Sequence, residues 1–443
     1  MTTFISKSLL KNNPTFLKIW LANLLSNFGT ILYEIAIIWY IVETTNSALV
    51  AGGVALALLL GNAFGAMVIG QKIDKHQTRN IMMALGSLRL LIIISLFMII
   101  IINVQNIAIY YIFSFIFSGI NASYNVARAK SVPEVVIGVD EKNQQLQSFN
   151  EDGNTYNKEL IDNEASKSTL LTEANALESV SASIVRIASW GLGGLIITLF
   201  DLPTALVITG IGLSLSLLLL LFSKWTSDTS DNDEAASTLG FIDGIRIIKK
   251  YANIKRIITA ETLFFLLMGF LWVAFPIRVS EIGDGLLYGL HGVAFGIGYL
   301  ITSLFLSFKA RKKVQPLKIG QSYLIGLAVY ALGNIILTFT FQPSIFLFGL
   351  FISGLGTTFW TTYQMTIFHT TIPTRQIGKI FSVFQFATTF IQVPGFLLGG
   401  LLVDALGTGL IMGTAVVLQI VPIGLIAVFF VMHPLMCYTV GEE

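Results

Sequence analysis

The stretch Ile19-Trp-Leu-Ala-Asn-Leu-Leu-Ser-Asn-Phe-Gly-Thr-Ile-Leu-Tyr-Glu-Ile-Ala-Ile-Ile-Trp-Tyr-Ile-Val42 contains a single charged side chain, Glu34. About twenty predominantly apolar residues suffice for a helix to cross a bilayer, so this run is long enough to span one. Lys7, Lys11 and Lys18 precede it. It is too long for a signal-peptide core, and no small-residue cleavage site follows it. Within it Asn23, Asn27, Thr30 and Glu34 recur at i, i+4, i+7 and i+11, which places them in one polar stripe along the helix. Polar stripes inside a membrane face protein or water, not lipid. The first helix is therefore expected to line a path as well as to span.

Eleven further apolar runs follow, near Leu49–Ile69, Ile81–Ile102, Ile107–Val126, Ala176–Phe200, Ala205–Phe222, Ile257–Ile277, Tyr288–Phe308, Ile319–Phe339, Ile345–Phe368, Ile380–Leu406 and Leu410–Met432. The composition agrees: 54% of residues are hydrophobic and 12% charged, against a charged fraction about twice as large in soluble domains. One cysteine, Cys437, excludes an internal disulfide and a Cys-based metal site. His76, His291, His369 and His433 are scattered, so no metal-ligand cluster is expected. With no Walker-type phosphate loop, no paired carboxylates and no nucleophile constellation, the sequence predicts neither an enzyme nor a cofactor. A nucleic-acid partner is not expected.

The basic residues test the count of spans. With the N-terminus on the cytoplasmic side, 24 of the 27 Lys and Arg residues fall in cytoplasmic segments, Arg278 alone falls outside, and Arg89 and Arg186 fall within the membrane. A missed or extra helix would scramble this one-sidedness. The reading is an all-α membrane protein of twelve helices, a multi-pass protein of the cell membrane, of bacterial type, with both termini cytoplasmic.

External links are short, as at Asn103–Asn106 and Asp201–Thr204, so helices pair as hairpins. Two cytoplasmic segments are long. Residues 137–173 hold eight acidic and three basic side chains and read as a solvated insertion. Residues 223–256 form a central linker whose Phe241, Ile242, Ile245 and Ile248 stand at helical spacing beside Arg246, Lys249 and Lys250. That pattern suits either a basic amphipathic helix on the inner leaflet or a helix packed on the bundle. The expected organisation is an N-terminal six-helix bundle over 1–222, the linker over 223–256, and a C-terminal six-helix bundle over 257–443.

The halves echo each other. Phe115–Gly119 (Phe-Ile-Phe-Ser-Gly) matches Leu350–Gly354 (Leu-Phe-Ile-Ser-Gly) at an offset of 235, and Gly193-Gly194-Leu195 matches Gly399-Gly400-Leu401 at 206. The difference of 29 equals the extra length of the acidic segment, which marks it as an insertion into a duplicated plan. Two six-helix halves joined by a linker is a secondary-transporter architecture.

The turn Gly70-Gln-Lys-Ile-Asp74-Lys75-His76-Gln-Thr-Arg79 resembles the signature of the major facilitator superfamily, matching at Gly70, Asp74, Lys75 and Arg79. Gln77 stands where that family usually has Gly, and Thr78 where it often has Arg. Ile19-Trp20, Ile37–Ala48, Ile81-Met82 and Ala127-Arg128 with Val132-Pro133-Glu134 are similar to macrolide-efflux-type exporters of the same superfamily. Siderophore exporters share these features. The antiporter pattern of the fifth helix is degraded, because Ser189-Trp190 precede Gly193-Gly194. The resemblance implies two pseudo-symmetric bundles, alternating access, and a gating contact in which Asp74 and its basic neighbours take part; enforcement of topology is the plainer role for Lys75 and Arg79.

Two intramembrane charges are candidates for coupling. A carboxylate at depth costs several kcal/mol unless it is paired or protonated, which suits Glu34 to a group that takes up and releases a proton. Arg186 always carries its charge and needs acceptors. At 1.5 Å per residue it lies about 15 Å from the cytoplasmic face and Glu34 about 22 Å, so a pair is within reach of the Arg side chain; it would be either switchable or permanent. Arg89 is expected to be structural. A moderately apolar substrate cavity is expected from Asn23, Asn27 and Thr30, from Ser118, Asn121 and Asn125 (with Ser114) on the fourth helix, from Phe265, Met268 and Trp272 (with Glu261) on the seventh, and from Thr357, Trp360, Thr361 and Gln364 on the tenth. Ordinary helix packing is the alternative for the aromatic stripe. Trp20, Trp39 and Trp225 are expected as interfacial anchors, and Gly61/Gly65, Gly292/Gly296 and Gly395/Gly399 as close helix contacts.

These residues lead to an ion-coupled exporter of amphiphilic small molecules such as macrolide-type drugs, working as a monomer on a proton or sodium gradient. The alternatives are an exporter of an endogenous siderophore or peptide, and a non-transporting membrane sensor or immunity protein.

Overall fold

The computed structural model describes residues 13–70, 77–102, 106–148, 177–178, 181–223, 246, 248–249, 251–311, 319–371 and 374–432. Thirteen long helices follow one another among them: α1 Pro14–Thr45, α2 Ala48–Gly70, α3 Thr78–Ile101, α4 Ile107–Ser148, α5 Ser181–Leu199, α6 Leu202–Leu221, α7 Ala252–Ile282, α8 Gly285–Arg311, α9 Ile319–Phe339, α10 Pro343–Thr371, α11 Thr374–Phe390, α12 Gln392–Leu406 and α13 Thr408–Met432. Twelve segments are long and apolar enough to cross a membrane, α11 and α12 sharing one of them. No strand occurs among the described residues.

Three departures from the expected boundaries have physical causes. The eleventh span is broken at Ile391, because Pro394 lacks the N–H that the Phe390 carbonyl would accept and its ring crowds that carbonyl. The fourth helix runs on to Ser148, well into the segment expected to be a solvated insertion. The seventh begins at Ala252, and Ile248 just before it is buried in the hydrophobic cluster of that region, so this part of the linker packs on protein. Phe241, Ile242, Ile245 and Lys250 of the expected amphipathic helix, and Trp225, lie outside the described residues.

The packing is inside-out relative to a soluble protein. On α3, Leu91, Ile94, Met98 and Ile101 are exposed at intervals of three and four, and so are Ile211, Leu215 and Leu218 on α6 and Leu418, Val421, Leu425 and Val428 on α13. Such apolar stripes have no solvent partner but lipid. The buried polar side chains lie on the other faces.

Two compact units divide the chain. The first comprises Met1–Glu34, Leu58–Ser189 and Leu202–Asn232, and the second Ile35–Ala57, Trp190–Asp201 and Asp233–Glu443. In the first, α3 packs against α4 and α6, around a core that includes Phe16, Ile19, Met82, Tyr124, Val135 and Leu220. There α2 and α4 approach so closely that a Cβ at Gly65 would overlap the Gly119 carbonyl. Ser118 and Ser123 tie the same helices by donating to the Leu58 and Gly65 carbonyls at 2.6 and 2.9 Å.

In the second unit α9 packs along α10, α8 along α10, and α7 against α12 and α13. The second half of α1, the start of α2 and the end of α5 belong to this unit as well. Trp39 stacks on Tyr288, Trp190 meets His291 edge-on, and Gly194 and Gly289 approach backbone to backbone. Trp39 is thus buried in a protein seam, not anchored at the membrane interface as its sequence position suggests; its indole donates to Glu43 at 2.7 Å.

Candidate functional site

In the first unit the polar stripe of α1 meets α4 and α5. Asn23 is buried and donates to Glu178 at 3.3 Å, and Glu178 pairs with Arg128 at 3.4 Å. Thr30 is buried; its hydroxyl donates to the Ser26 carbonyl and approaches Asn121 at 3.4 Å. Tyr33 and Ser114 exchange a hydrogen bond at 3.1 Å. Asn27, Glu34 and Asn125 are half-buried. Thr30 and Tyr33 of α1 thus meet Asn121 and Ser114 of α4.

Arg89 enters the same network from α3. It is 1% exposed, donates to the Asn121 side-chain amide oxygen Oδ1 at 2.8 Å, and holds its guanidinium carbon 3.9 Å from the centre of the Tyr124 ring. No carboxylate among the described residues pairs with it. An amide dipole and a π-face replace a counter-ion.

Glu34 and Arg186 influence each other electrostatically but make no hydrogen bond or direct ion pair. Glu34 is half-buried and Arg186 exposed within the unit. A contact across the gap would need a change in side-chain or helix position. Of the loop signature, Asp74 and Lys75 lie outside the described residues, and Gly70 closes α2. Arg79 donates to the Leu221 carbonyl at 2.9 Å, and Lys18 donates to the Phe222 carbonyl at 3.0 Å. Two cations thus satisfy the final carbonyls of α6, where the helix dipole is negative.

In the second unit the expected cavity face of α7 and α10 encloses a carboxylate. Glu261 is 0% exposed. Its Oε1 accepts from Tyr323 of α9 and, at 2.9 Å, from the Trp360 indole; its Oε2 accepts from Gln364. Phe264, Phe265 and Tyr330 pack around Trp360 with ring centres 5.2 to 5.9 Å away, and Tyr330 donates to the Met268 sulfur at 3.7 Å. Thr357 and Thr361 are half-buried and bond back to their own helix. Trp272 is 50% exposed and points away from this cluster. The sequence singles out Glu261 as one member of an apolar face; it gives no sign that three donors from two other helices close on it.

Two further polar clusters have no counterpart in the sequence reading. Asp404 at the end of α12 accepts from the Ala48 and Leu49 amides at 2.6 and 3.2 Å and from the Ser47 hydroxyl at 2.6 Å, capping α2 from a distant part of the chain. Arg278, 2% exposed, donates to the Thr338 and Thr340 carbonyls at 3.3 and 3.0 Å and pairs with Glu281 at 2.9 Å. An acid near the end of an apolar run was the available clue to Asp404. No group of three or more potential metal ligands occurs among the described residues.

Solved structures with the same fold are transporters. The chain is similar to the nucleoside transporter NupG, with a TM-score of 0.70, 12% identity, and coverage of 94% of this chain and 99% of that one. It is similar to a bacterial homologue of the human lysosomal transporter Spinster (TM-score 0.66, 10% identity, 97% and 99% covered). A bacterial homologue of the iron transporter ferroportin gives a TM-score of 0.64 at 14% identity, with 94% and 98% covered. No curated protein sequence matches. A family model described as Transmembrane secretion effector matches residues 9–146. The model described as Major Facilitator Superfamily matches residues 164–393, more than half of the chain. The chain belongs to the Major Facilitator Superfamily and is a multi-pass secondary transporter.

Proposed function

We propose that this transporter exports hydrophobic or amphiphilic small molecules, macrolide-type drugs among them, in exchange for protons. The observation that carries the reading is Glu34, an acid on a membrane-spanning helix that has no direct ion pair among the described residues and lies within the electrostatic reach of Arg186. In the proposed cycle Glu34 takes a proton from outside and releases it inside, and its attraction to Arg186 is switched on and off with that proton. One charge moved through 100 mV is worth about 2.3 kcal/mol, enough for a useful gradient when two protons accompany each substrate.

The substrate class rests on the character of the α7–α10 face. Phe265, Met268 and Trp360 offer aromatic and thioether surface with few hydrogen-bonding groups, which favours large apolar ligands over sugars or phosphates. The outward direction is supported by the match to a secretion-effector model and by the resemblance to macrolide exporters. On this reading the protein lies in the cell membrane with both termini cytoplasmic and acts as a monomer. Asp74, Lys75 and Arg79 belong to the cytoplasmic gate, and the seam of Trp39, Trp190, Gly194, Tyr288, Gly289 and Asp404 to the outer one.

The test is drug transport in inverted vesicles under an imposed pH gradient. Uptake should collapse when the gradient is dissipated, and Glu34→Gln should lose gradient-driven transport while retaining drug binding. Full gradient-driven transport in that variant would overturn the assignment.

A further inference from the structure

The Glu261 site differs from every other acid on the page. It is completely buried, it lies in the interior of α7, and no Lys or Arg among the described residues pairs with it. All three of its partners are neutral donors, and they come from α9 and α10. A buried carboxylate with neither a counter-ion nor hydrogen bonds is unstable; this one has the hydrogen bonds and lacks the counter-ion.

Among the described residues no group neutralises it by charge. On the helices packed around it the titratable side chains in the same cluster are Tyr323 and Tyr330 of α9 and Tyr363 of α10, with Tyr251 ahead of α7. The sequence of α13 has no titratable side chain. Asp404 of α12 is engaged by the start of α2, and His291 of α8 lies in the aromatic seam with Trp190 and Phe275. On α7 itself Lys255 and Arg256 line a groove with Lys249 and Leu425, while Arg278 is held by Glu281 and two carbonyls. The side chains of Arg375 and Lys379 on α11 lie outside the described residues.

We propose that Glu261 is a second reversible proton-binding site of the transporter, and that Gln364 is the positioning residue that lets it hold either charge state. The chemistry of the partners divides between the two oxygens. Oε1 accepts from Tyr323 and Trp360 whether or not the acid is protonated, because both are donors. Oε2 faces a primary amide, which can present either its NH2 or its carbonyl. With the carboxylate ionised, Gln364 donates to Oε2. When Oε2 binds a proton from water, the net charge goes from minus one to zero, the new O–H donates, and the amide turns over to accept it. No hydrogen bond is lost in either state. A Leu or a Lys at position 364 would serve only one state or neither.

The proton-binding claim stands apart from the role of Glu34; only its use in transport rests on the proton-exchange reading. The test is infrared difference spectroscopy of the purified full-length protein in lipid nanodiscs, titrated with acid in the absence of any gradient. The wild-type spectrum should contain a protonated-carboxyl C=O component that Glu34→Gln retains and Glu261→Gln loses. Gln364→Leu should keep the band and displace its frequency, because the O–H loses its acceptor. This second variant leaves the acid in place and identifies the band even where Glu261→Gln does not fold. The same spectrum in Glu261→Gln as in the wild type, or a band unmoved by Gln364→Leu, would overturn the inference. Loss of the Glu261 band alongside wild-type transport in Glu34→Gln would instead remove the Glu34 reading and leave this one standing.

Discussion

Arg89 shows how one residue in a membrane protein can be compensated without an opposite charge. It is fully buried, and its charge is shared between the Asn121 side-chain amide oxygen and the Tyr124 ring. Stripping away one partner of a buried charge is more damaging than removing both, at about 3–5 kcal/mol against a much smaller loss. Asn121→Leu should therefore lower the thermal unfolding temperature in detergent more than Arg89→Met. The double substitution should unfold at a higher temperature than Asn121→Leu alone. Equal unfolding temperatures for Asn121→Leu and the wild type would show that Tyr124 suffices by itself. The same reasoning applies with opposite sign at Glu261, whose donors are all neutral. The identity of these two side chains as intramembrane charges is legible in the sequence, because each stands alone in an apolar run. Their partners are not, since they lie on other helices: Asn121 is 32 residues from Arg89, and Gln364 is 103 residues from Glu261.

At the scale of helices, the recurring theme is satisfaction of exposed helix ends by charges from elsewhere. Lys18 and Arg79 serve the final carbonyls of α6, Arg278 those of α9, and Asp404 the first amides of α2. Each sign matches the helix dipole it meets. The Asp404 cap fastens the start of α2 to the end of α12, inside the seam we assign to the outer gate. Hydrogen bonds to a charged group contribute about 1.5–3 kcal/mol each, so losing three of them is enough to shift a two-state equilibrium by about tenfold or more. In a Cys437→Ser background, a cysteine at Ile197, which is buried beside Gly285, should react faster with a membrane-impermeant maleimide when Asp404→Ala is added. An unchanged rate would show that the cap holds α2 without holding the seam. Glycine has a comparable role in the first unit: Gly65→Leu cannot be accommodated against Gly119 and should prevent stable α2–α4 packing, read as loss of monodisperse protein.

For the whole molecule, the extension of α4 to Ser148 changes what the acidic segment is. The duplication argument assigns 29 residues of extra length to 137–173, and the first part of that segment continues a membrane helix. Deleting residues 149–168 should accordingly spare drug efflux from cells, whereas deleting 138–168 should reduce it by truncating α4. Equal efflux from both deletions would show that the helical extension has no part in transport. The compact units raise a related point. Residues 35–57 and 190–201 belong by sequence to the first six spans and by packing to the unit that holds the last six. A linear division of the chain at the central linker therefore does not coincide with its division by packing.

Twelve spans, the superfamily signature and the polar stripe of α1 were determined by sequence alone. Each depends on the length, charge or periodicity of a single continuous segment, and the bilayer acts on every segment in the same way. The uncompensated Glu261 and its three donors, the absent Glu34–Arg186 pair, the burial of Trp39 and the Asp404 cap were decided only by tertiary structure. In an apolar solvent every buried polar group must find a partner, and which distant residue supplies it depends on how helices are rotated and stacked, information that no single segment contains.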